Sequence, residues 1–320
     1  MSRLICTLFF VMQLSLLVAQ QQPQYTQYVQ NMQVINPALT GVYHGMYVKA
    51  ASRNQWIGLE NAPKTNYITV SAPLNIDRDM LMAGSADFGV EDVGTREDRD
   101  GYYASENHHG IGLMVLDDRT GSLSKSSANL TYAYHIALGT MANLAVGVGG
   151  GLSRISLNID ELRFDNELEP LVVDGNSVRW SPDLNAGFYL YGASFFAGAS
   201  VQQVLKQKVS FAEDYVSEGV PHYFFTVGYR FWMGQDFSFM PSVMLKRIRP
   251  LPSSIDLNLK IAFRNNVWFG GSYRKDDSFS AIFGFTVSKI LDVGYAYDFT
   301  QSALKTVSHG THELVLGVKF

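Results

Sequence analysis

One stretch of the sequence resembles a calcium-binding loop in its closely spaced carboxylates. It is Arg96-Glu97-Asp98-Arg99-Asp100-Gly101, within the wider segment 76–108. An EF-hand loop carries an oxygen ligand at its first position and a glutamate at its twelfth. Here these positions hold Arg96 and Asn107, and we therefore expect no EF-hand calcium site.

The histidines, serines and glycines give no better candidate for a reactive centre. His108-His109 and the pair His309 and His312 lack carboxylates or thiols at the spacing of a metal site, so we expect exposed loop histidines. No Gly-x-Ser-x-Gly occurs to present a nucleophilic serine. The glycine-rich run 147–151 has no Lys-Ser/Thr after it, and we expect it to ease curvature or close packing. The sequence predicts no enzyme activity, no metal and no cofactor.

The first twenty residues indicate export. Arg3 precedes an apolar run that ends abruptly at Gln20, and this pattern predicts a signal peptide over residues 1–19. Cys6 is the single cysteine of the chain and lies within that peptide. A mature chain without cysteine has no disulfides, thiol nucleophiles or cysteine-ligated metal centres.

The composition indicates a folded protein without a nucleic-acid partner. The 320 residues carry 25 Lys+Arg against 29 Asp+Glu, a formal net charge of −4. A nucleic-acid binder needs a basic excess to neutralise phosphates, so we predict no interaction with nucleic acid. A hydrophobic share of 47% and an aromatic share of 13% provide ample material to bury.

Apolar residues alternate with small or polar ones along most of the chain after residue 45. At 254–264, Ile255 and Leu257 alternate with Asp256 and Asn258, and this period of two is typical of strands. Such runs predict about fourteen strands, at 46–53, 65–73, 110–117, 127–138, 142–152, 182–191, 193–203, 222–232, 237–247, 254–264, 266–275, 279–288, 291–299 and 311–320. We therefore predict an all-β fold, a transmembrane antiparallel β-barrel of the outer membrane.

A soluble β-sandwich also alternates, but three features favour the barrel. Tight turns alternate with long connections such as 153–181 and 204–221, as periplasmic turns alternate with outer loops. The last strand ends on Phe320, which resembles the assembly signal of outer-membrane barrels. Aromatic residues gather near strand ends, where a membrane interface holds them. These include Tyr189, Tyr191, Tyr223, Trp232, Trp268, Tyr273, Tyr295, Tyr297 and Phe299.

The charged residues support the same fold on energetic grounds. Lys or Arg on the lipid face costs roughly 2–4 kcal/mol at the bilayer midplane, and almost no charge falls on the faces that we assign to lipid. The charges expected in the lumen are Arg230, Lys246, Asp256, Lys260, Arg264, Asp292, Asp298, Glu313 and Lys319.

Two segments depart from the strand pattern of the barrel, which we place at 45–320. Residues 20–44 are rich in glutamine and contain the turn-like Asn36-Pro37-Ala38-Leu39-Thr40-Gly41. They can fold inward as a plug or remain in the periplasm, and the sequence does not choose between these. Segment 76–108, between the second and third strands, falls on the periplasmic side by strand parity, where a loop of this length is unusual. Either it is an inserted acidic loop, or the strand count is off by one at this point.

Both ends of the predicted mature chain carry a set of short motifs. The first motif residues are Pro23, Gln24, Tyr25, Gln27, Tyr28, Asn31, Asn36, Pro37, Ala38 and Gly41. Others follow at Arg53, Gln55, Trp56, Pro63, Lys64 and Thr65. The last two strands add Tyr297, Asp298, His312 and Glu313. In their order and spacing these motifs resemble the PorP/SprF family of type IX secretion system membrane proteins, whereas segment 76–108 is a departure from the family pattern.

The resemblance implies a non-enzymatic outer-membrane component of type IX secretion in a Gram-negative bacterium. Its implied role is to assist the export or surface attachment of cargo with a C-terminal sorting domain, including gliding adhesins. The implied partners are that cargo, the periplasmic and outer-membrane secretion components, and outer-membrane lipid. A channel for a small solute, gated by residues 20–44, remains the alternative. Arg53 and Trp56 are candidates either for docking or for a structural role.

Overall fold

The computed structural model describes residues 24–43, 45–74, 102–159, 178–205, 219–264, 266–287 and 290–320. The predicted signal peptide, motif residue Pro23 and most of segment 76–108, the predicted acidic insertion, lie outside the described residues. Within the described ranges, no helix is both long enough and apolar enough to cross a membrane.

Among the residues that the structure describes, fifteen strand segments join edge to edge into one antiparallel sheet. They are β1 (Tyr47–Asn54), β2 (Lys64–Leu74), β3 (His108–Thr120), β4 (Leu123–Leu138), β5 (Ala142–Leu157), β6 (Val178–Gly192), β7 (Phe195–Gln202), β8 (His222–Tyr229), β9 (Phe231–Met233), β10 (Phe237–Ile248), β11 (Ser254–Phe263), β12 (Val267–Arg274), β13 (Ser278–Val287), β14 (Leu291–Thr300) and β15 (Thr311–Lys319). Because β1 pairs with β15 as well as with β2, the sheet closes on itself.

The short segment β9 continues β8 beyond Arg230. Gly228 of β8 opposes Ser242 on β10, and Phe231 of β9 opposes Phe239, so both segments keep one register against the same neighbour. The fold is therefore a closed antiparallel barrel of 14 strands. This confirms the predicted fold class, and each predicted strand overlaps one of the barrel.

The two faces of the barrel have the polarity expected of a membrane protein. Leu130 and Phe188 on the outer face are 66% and 58% exposed, whereas the inward-facing Asn129 and His135 are 1% and 0% exposed. An apolar outer face and a polar inner face suit a barrel surrounded by lipid. Charged residues on the outer face, such as Lys64, lie at strand ends.

Four aromatic side chains face a different way from the one that the sequence pattern predicts. Tyr189, Tyr191 and Trp268 are 2%, 1% and 5% exposed, so the prediction of an interfacial position is wrong for them. It is also wrong for Trp232 of β9, which opposes the buried Ser238 of β10. Strand parity turns all four into the lumen.

The prediction of a lumenal Arg264 is also wrong. Strand β11 ends one residue earlier, and Arg264 lies in the following turn with an exposed ion pair of 2.7 Å to Asp236.

The two ends of the barrel differ in their connections. One end, here called the short-turn end, carries the connections 139–141, 193–194 and 234–236, together with the connection between β2 and β3. The other, the long-loop end, carries the long connections from β5 to β6 and from β7 to β8. Outer-membrane barrels have short periplasmic turns and longer outer loops. The barrel begins at Tyr47 and finishes at Lys319, which pair at the short-turn end.

Residues 24–43, here called the lumenal segment, lie against the inward-facing side chains of the barrel. They include three single turns of 3-10 helix, at Tyr28–Gln30, Met32–Val34 and Pro37–Leu39, and all nine of these residues are buried. The segment hydrogen-bonds to strands on different sides of the barrel. Its partners include Glu313 on β15, Thr69 on β2, Thr131 on β4, Ser200 on β7 and Asn258 on β11.

Candidate functional site

Arg53, Asp298 and Glu313 form a buried ion cluster near the long-loop end of the lumen. The Arg53 guanidinium donates from Nη1 to Glu313 Oε2 and from Nη2 to Asp298 Oδ2, each at 2.7 Å. All three side chains are at most 3% exposed. Arg53 on β1 is the direct register partner of Glu313 on β15. The cluster therefore joins the first strand to the last two.

This ion cluster also binds the beginning of the lumenal segment. Glu313 accepts from the backbone nitrogens of Thr26 and Gln27, at 2.8 and 3.2 Å. The Thr26 hydroxyl donates to Asp298 Oδ2 and accepts from Arg53 Nη1, both at 2.8 Å. Buried charges are costly unless they are paired and hydrogen-bonded, and the segment supplies donors to both carboxylates. We call Thr26, Arg53, Asp298 and Glu313 the latch.

A second buried ion cluster holds Gln24, the first residue of the lumenal segment. Arg274 Nη1 donates to Gln24 Oε1 at 2.9 Å. The same guanidinium pairs with Asp256 at 3.0 Å and with Asp277 at 3.1 Å. Arg274 is the last residue of β12 and the turn 275–277 follows it at the long-loop end. The lumenal segment therefore starts at the long-loop end of the barrel.

Aromatic and amide side chains attach the middle of the segment to the barrel wall. The Tyr25 ring packs edge-on against Tyr67 of β2, with 5.3 Å between ring centroids. Asn258 Nδ2 donates to the Tyr28 hydroxyl at 2.7 Å. Asn31 Nδ2 donates to Thr69 Oγ1 at 2.9 Å. Motif residues of the segment thus contact opposite sides of the barrel.

Asn36 shapes the last turn of the segment and fixes it to β6. Its Oδ1 accepts from the Ala38 backbone nitrogen at 3.0 Å, which caps the turn that Pro37 begins. Its Nδ2 donates to the Phe188 carbonyl oxygen at 2.9 Å. One amide therefore serves both the local turn and its contact with the wall.

Glycines of the wall allow the backbone of the segment to come close. A Cβ atom at Gly147 on β5 would collide with the backbone of Pro37 and Ala38. Gly41 has a φ of +79°, which favours glycine, and its Cα lies against Gly110 of β3. The glycine-rich run was expected to ease curvature or close packing, and Gly147 provides a close approach.

The histidines of β3 and β4 lie at the short-turn end, beside the end of the segment. His108 is 4% exposed and stacks on His135, with ring centroids 4.3 Å apart. His135 Nε2 lies 2.9 Å from the Thr40 carbonyl oxygen, and His108 Nε2 lies 3.2 Å from that of Gly41. The prediction of an exposed loop position is therefore wrong for His108, because β3 begins there.

The described end of the acidic insertion is attached to the hairpin of β4 and β5. Ala104 N donates to the Thr140 carbonyl oxygen at 2.9 Å. Asn143 Nδ2 donates to the Ser105 carbonyl oxygen at 2.8 Å, and Ser105 N donates back to Asn143 Oδ1 at 3.1 Å. Burial raises the pKa of Tyr102 to about 12, so its phenol stays neutral beside this contact.

Seven of the predicted motif residues lie outside these clusters, in the connection between β1 and β2, on the outer wall or, for Thr65, on the inner face of β2. Gln55 N donates to the Pro63 carbonyl oxygen at 2.9 Å. Trp56 has a φ of 46°, and Lys64 is exposed. Thr65 is buried and donates to Asp118 at 2.6 Å. Tyr297 and His312 form a ring contact of 5.0 Å between centroids on neighbouring strands.

Sequence reasoning missed several residues of the clusters. Thr26 stands between the motif residues Tyr25 and Gln27. This position is the one feature of the sequence that indicates a role for Thr26 in the cluster. Arg274 is the last residue of β12 and the only charged residue on that strand. Nothing in the sequence alone connects it with Gln24, which is 250 residues away.

The closed 14-strand barrel, with an apolar exterior and a polar interior, defines an outer-membrane β-barrel. The chain belongs to the PorP/SprF family of type IX secretion system membrane proteins, because the model of that family matches residues 17–318. It is thus an outer-membrane component of type IX secretion. No curated protein matches the chain in sequence.

Solved outer-membrane barrels resemble the fold at low sequence identity. The CymD monoaromatic hydrocarbon channel has a TM-score of 0.51 and 11% identity, over 90% of this chain and 92% of that chain. The Ralstonia pickettii toluene transporter TbuX has a TM-score of 0.49 and 12% identity, over 90% of this chain and 93% of that chain. Omp33 of Acinetobacter baumannii has a TM-score of 0.49 and 6% identity, over 88% of this chain and 100% of that chain. At these identities the likeness to CymD shows the fold alone.

Proposed function

We propose that this protein assists the export or surface attachment of type IX cargo by binding the cargo, the secretion machinery or both. Its cargo would carry a C-terminal sorting domain and include gliding adhesins. The protein would reach the outer membrane through a cleaved signal peptide over residues 1–19. No step of this role requires a catalytic group or a cofactor.

The observation that carries the proposal is the way the lumenal segment is held inside the barrel. The latch binds its beginning through buried charges, and Gly147 admits its final turn against β5. A segment fixed at both ends of the lumen favours a binding protein over an open channel. We propose that it acts as a plug.

The two ends of the barrel offer separate surfaces for two kinds of partner. The long-loop end carries the outer loops, which in barrels face the outside of the cell. We propose that cargo binds there. The short-turn end carries the acidic insertion, whose described residues are anchored to the hairpin of β4 and β5. We propose that this end binds periplasmic components of the secretion machinery.

The decisive experiment is deletion of the gene, followed by quantitative proteomics of the medium and the cell surface. We expect one or a few proteins with C-terminal sorting domains to leave the surface and accumulate inside the cell. Expression of the wild-type gene from a plasmid should restore them. If all such proteins stay in place while uptake of a solute falls, the secretion role is wrong and transport replaces it.

Conductance of the purified protein in a planar bilayer tests the channel alternative directly. A plugged barrel should give no steady ion current, whereas an open channel gives stepwise current on insertion. Omission of the protein and addition of a known porin are the two controls. Steady current from the wild-type protein would contradict the plug.

A further inference from the structure

A cavity of about 130 Å³ lies beside the beginning of the lumenal segment. Tyr25 and Ile35 of the segment form one side, and Phe224 and Met244 of the barrel form another. Pro252, in the turn between β10 and β11 at the long-loop end, is exposed and also lines it. The cavity therefore has apolar walls and lies at the long-loop end of the barrel.

One side of this cavity carries charged groups. Arg274 and Asp256 line it and are 4% and 2% exposed. Asp256 is occupied by Arg274, whose Nε donates to both carboxylate oxygens at 3.0 and 3.1 Å. Lys246 also lines the cavity, and among the described residues it has no hydrogen bond or ion pair within 4.0 Å.

We propose that this cavity is a binding site for a small apolar group that ends in a carboxylate. Lys246 would pair with the carboxylate, and Tyr25, Phe224 and Met244 would surround the apolar part. The carboxylate fits because a half-buried ammonium gains from an anionic partner, whereas Asp256 is already paired with Arg274.

The size of the cavity limits the apolar part. A cavity of roughly 150 Å³ in a protein core accommodates benzene, so a space of about 130 Å³ fits a chain of about five or six carbons. Such a group is a short fatty acid, or the last residue of a peptide when that residue is leucine-like. Because the lumenal segment forms part of the wall, a bound ligand would also stabilise its position.

Calorimetric titration of the purified, full-length wild-type protein with a ligand series tests this site. The probes are hexanoate, hexanol and hexylamine, which share a chain length and differ in the end group. We expect hexanoate to bind in saturable fashion and at least tenfold more tightly than the other two. Equal binding of hexanoate and hexanol would overturn the proposal, and this comparison needs no variant.

Substitution of Lys246 then assigns the carboxylate to its partner. Lys246→Met keeps the length of the side chain and removes its charge, and we expect at least a tenfold loss of hexanoate affinity. The matched control is Lys305→Met, an exposed lysine of the connection between β14 and β15, which should leave affinity unchanged. Unchanged hexanoate binding by a folded Lys246→Met protein would contradict the assignment.

A peptide pair distinguishes the two sources of such a ligand. Acetyl-Ala-Ala-Leu with a free carboxylate and the same peptide with a C-terminal amide are titrated alongside hexanoate. Tight binding of the free peptide but not the amide identifies a peptide end. Binding of hexanoate alone identifies a fatty acid. These titrations do not involve cargo, so they test the site independently of the secretion role. If neither hexanoate nor the free peptide binds, the proposed site is rejected.

Discussion

Arg53 and Glu313 lie opposite each other in the register of β1 and β15, and their Nη1 and Oε2 atoms are 2.7 Å apart. The pair therefore links the two strands that close the barrel. Since Glu313 also accepts from the backbone of Thr26 and Gln27, the same carboxylate holds the lumenal segment. The same ion pair thus helps to close the barrel and to hold the lumenal segment inside it.

Replacement of Glu313 by glutamine should destabilise the barrel. The change leaves the Arg53 guanidinium with Asp298 as its ionic partner, and breaking a buried pair costs roughly 3–5 kcal/mol. Because one carboxylate remains, we expect a loss of about 3 kcal/mol, measured by urea unfolding in lipid vesicles. Arg264→Gln removes the exposed pair with Asp236 and should have no measurable effect. Equal stabilities for the two variants would show that the latch contributes little.

The strands could be predicted from sequence because each face of a barrel strand meets a different environment. Along β11, Leu257 faces outward and Asp256 inward, as the alternation indicates. The prediction that Trp268 lies at the membrane interface rests on its being aromatic, and it is wrong. Trp268 faces the lumen because it has the same strand parity as Ser272 and Arg274.

The candidate site could be predicted only in part. Arg53, Asp298 and Glu313 were all singled out as motif residues, but their meeting depends on which strands close the barrel, and alternation does not encode this. Their joint partner Thr26 lies in the segment that the sequence left either in the periplasm or in the lumen. Hydrogen bonds between residues more than 270 positions apart have no local signal.

A valine at Gly147 should open the lumen. Its side chain would collide with the backbone of Pro37 and Ala38, so the final turn of the lumenal segment would leave β5. We expect this variant to give stepwise ion current in a planar bilayer. Gly150→Val is a matched control, because Gly150 is on the same strand and a Cβ there meets nothing within 4 Å. If neither variant conducts, displacement of this turn does not open the barrel.

Replacement of Asn36 by aspartate should loosen the lumenal segment without disturbing the strands. Aspartate keeps the cap on Ala38 but removes the Nδ2 donor to the Phe188 carbonyl oxygen and places a negative charge beside it. We expect amide hydrogen exchange over residues 24–43 to become at least tenfold faster, measured by mass spectrometry. Asn158→Asp, at an exposed position after β5, should exchange like the wild type. Faster exchange throughout the barrel would instead indicate global destabilisation.

Thiol labelling of intact cells should show which end of the barrel faces the outside. Cys6 is the only cysteine and lies in the predicted signal peptide, so single-cysteine variants have no background in a processed chain. We expect Lys305→Cys, at the long-loop end, to react with a membrane-impermeant maleimide. Met141→Cys is at the short-turn end, where the native side chain is 76% exposed, and should react only after the outer membrane is permeabilised. The reverse pattern would invert the orientation and move the proposed cargo surface to the periplasm.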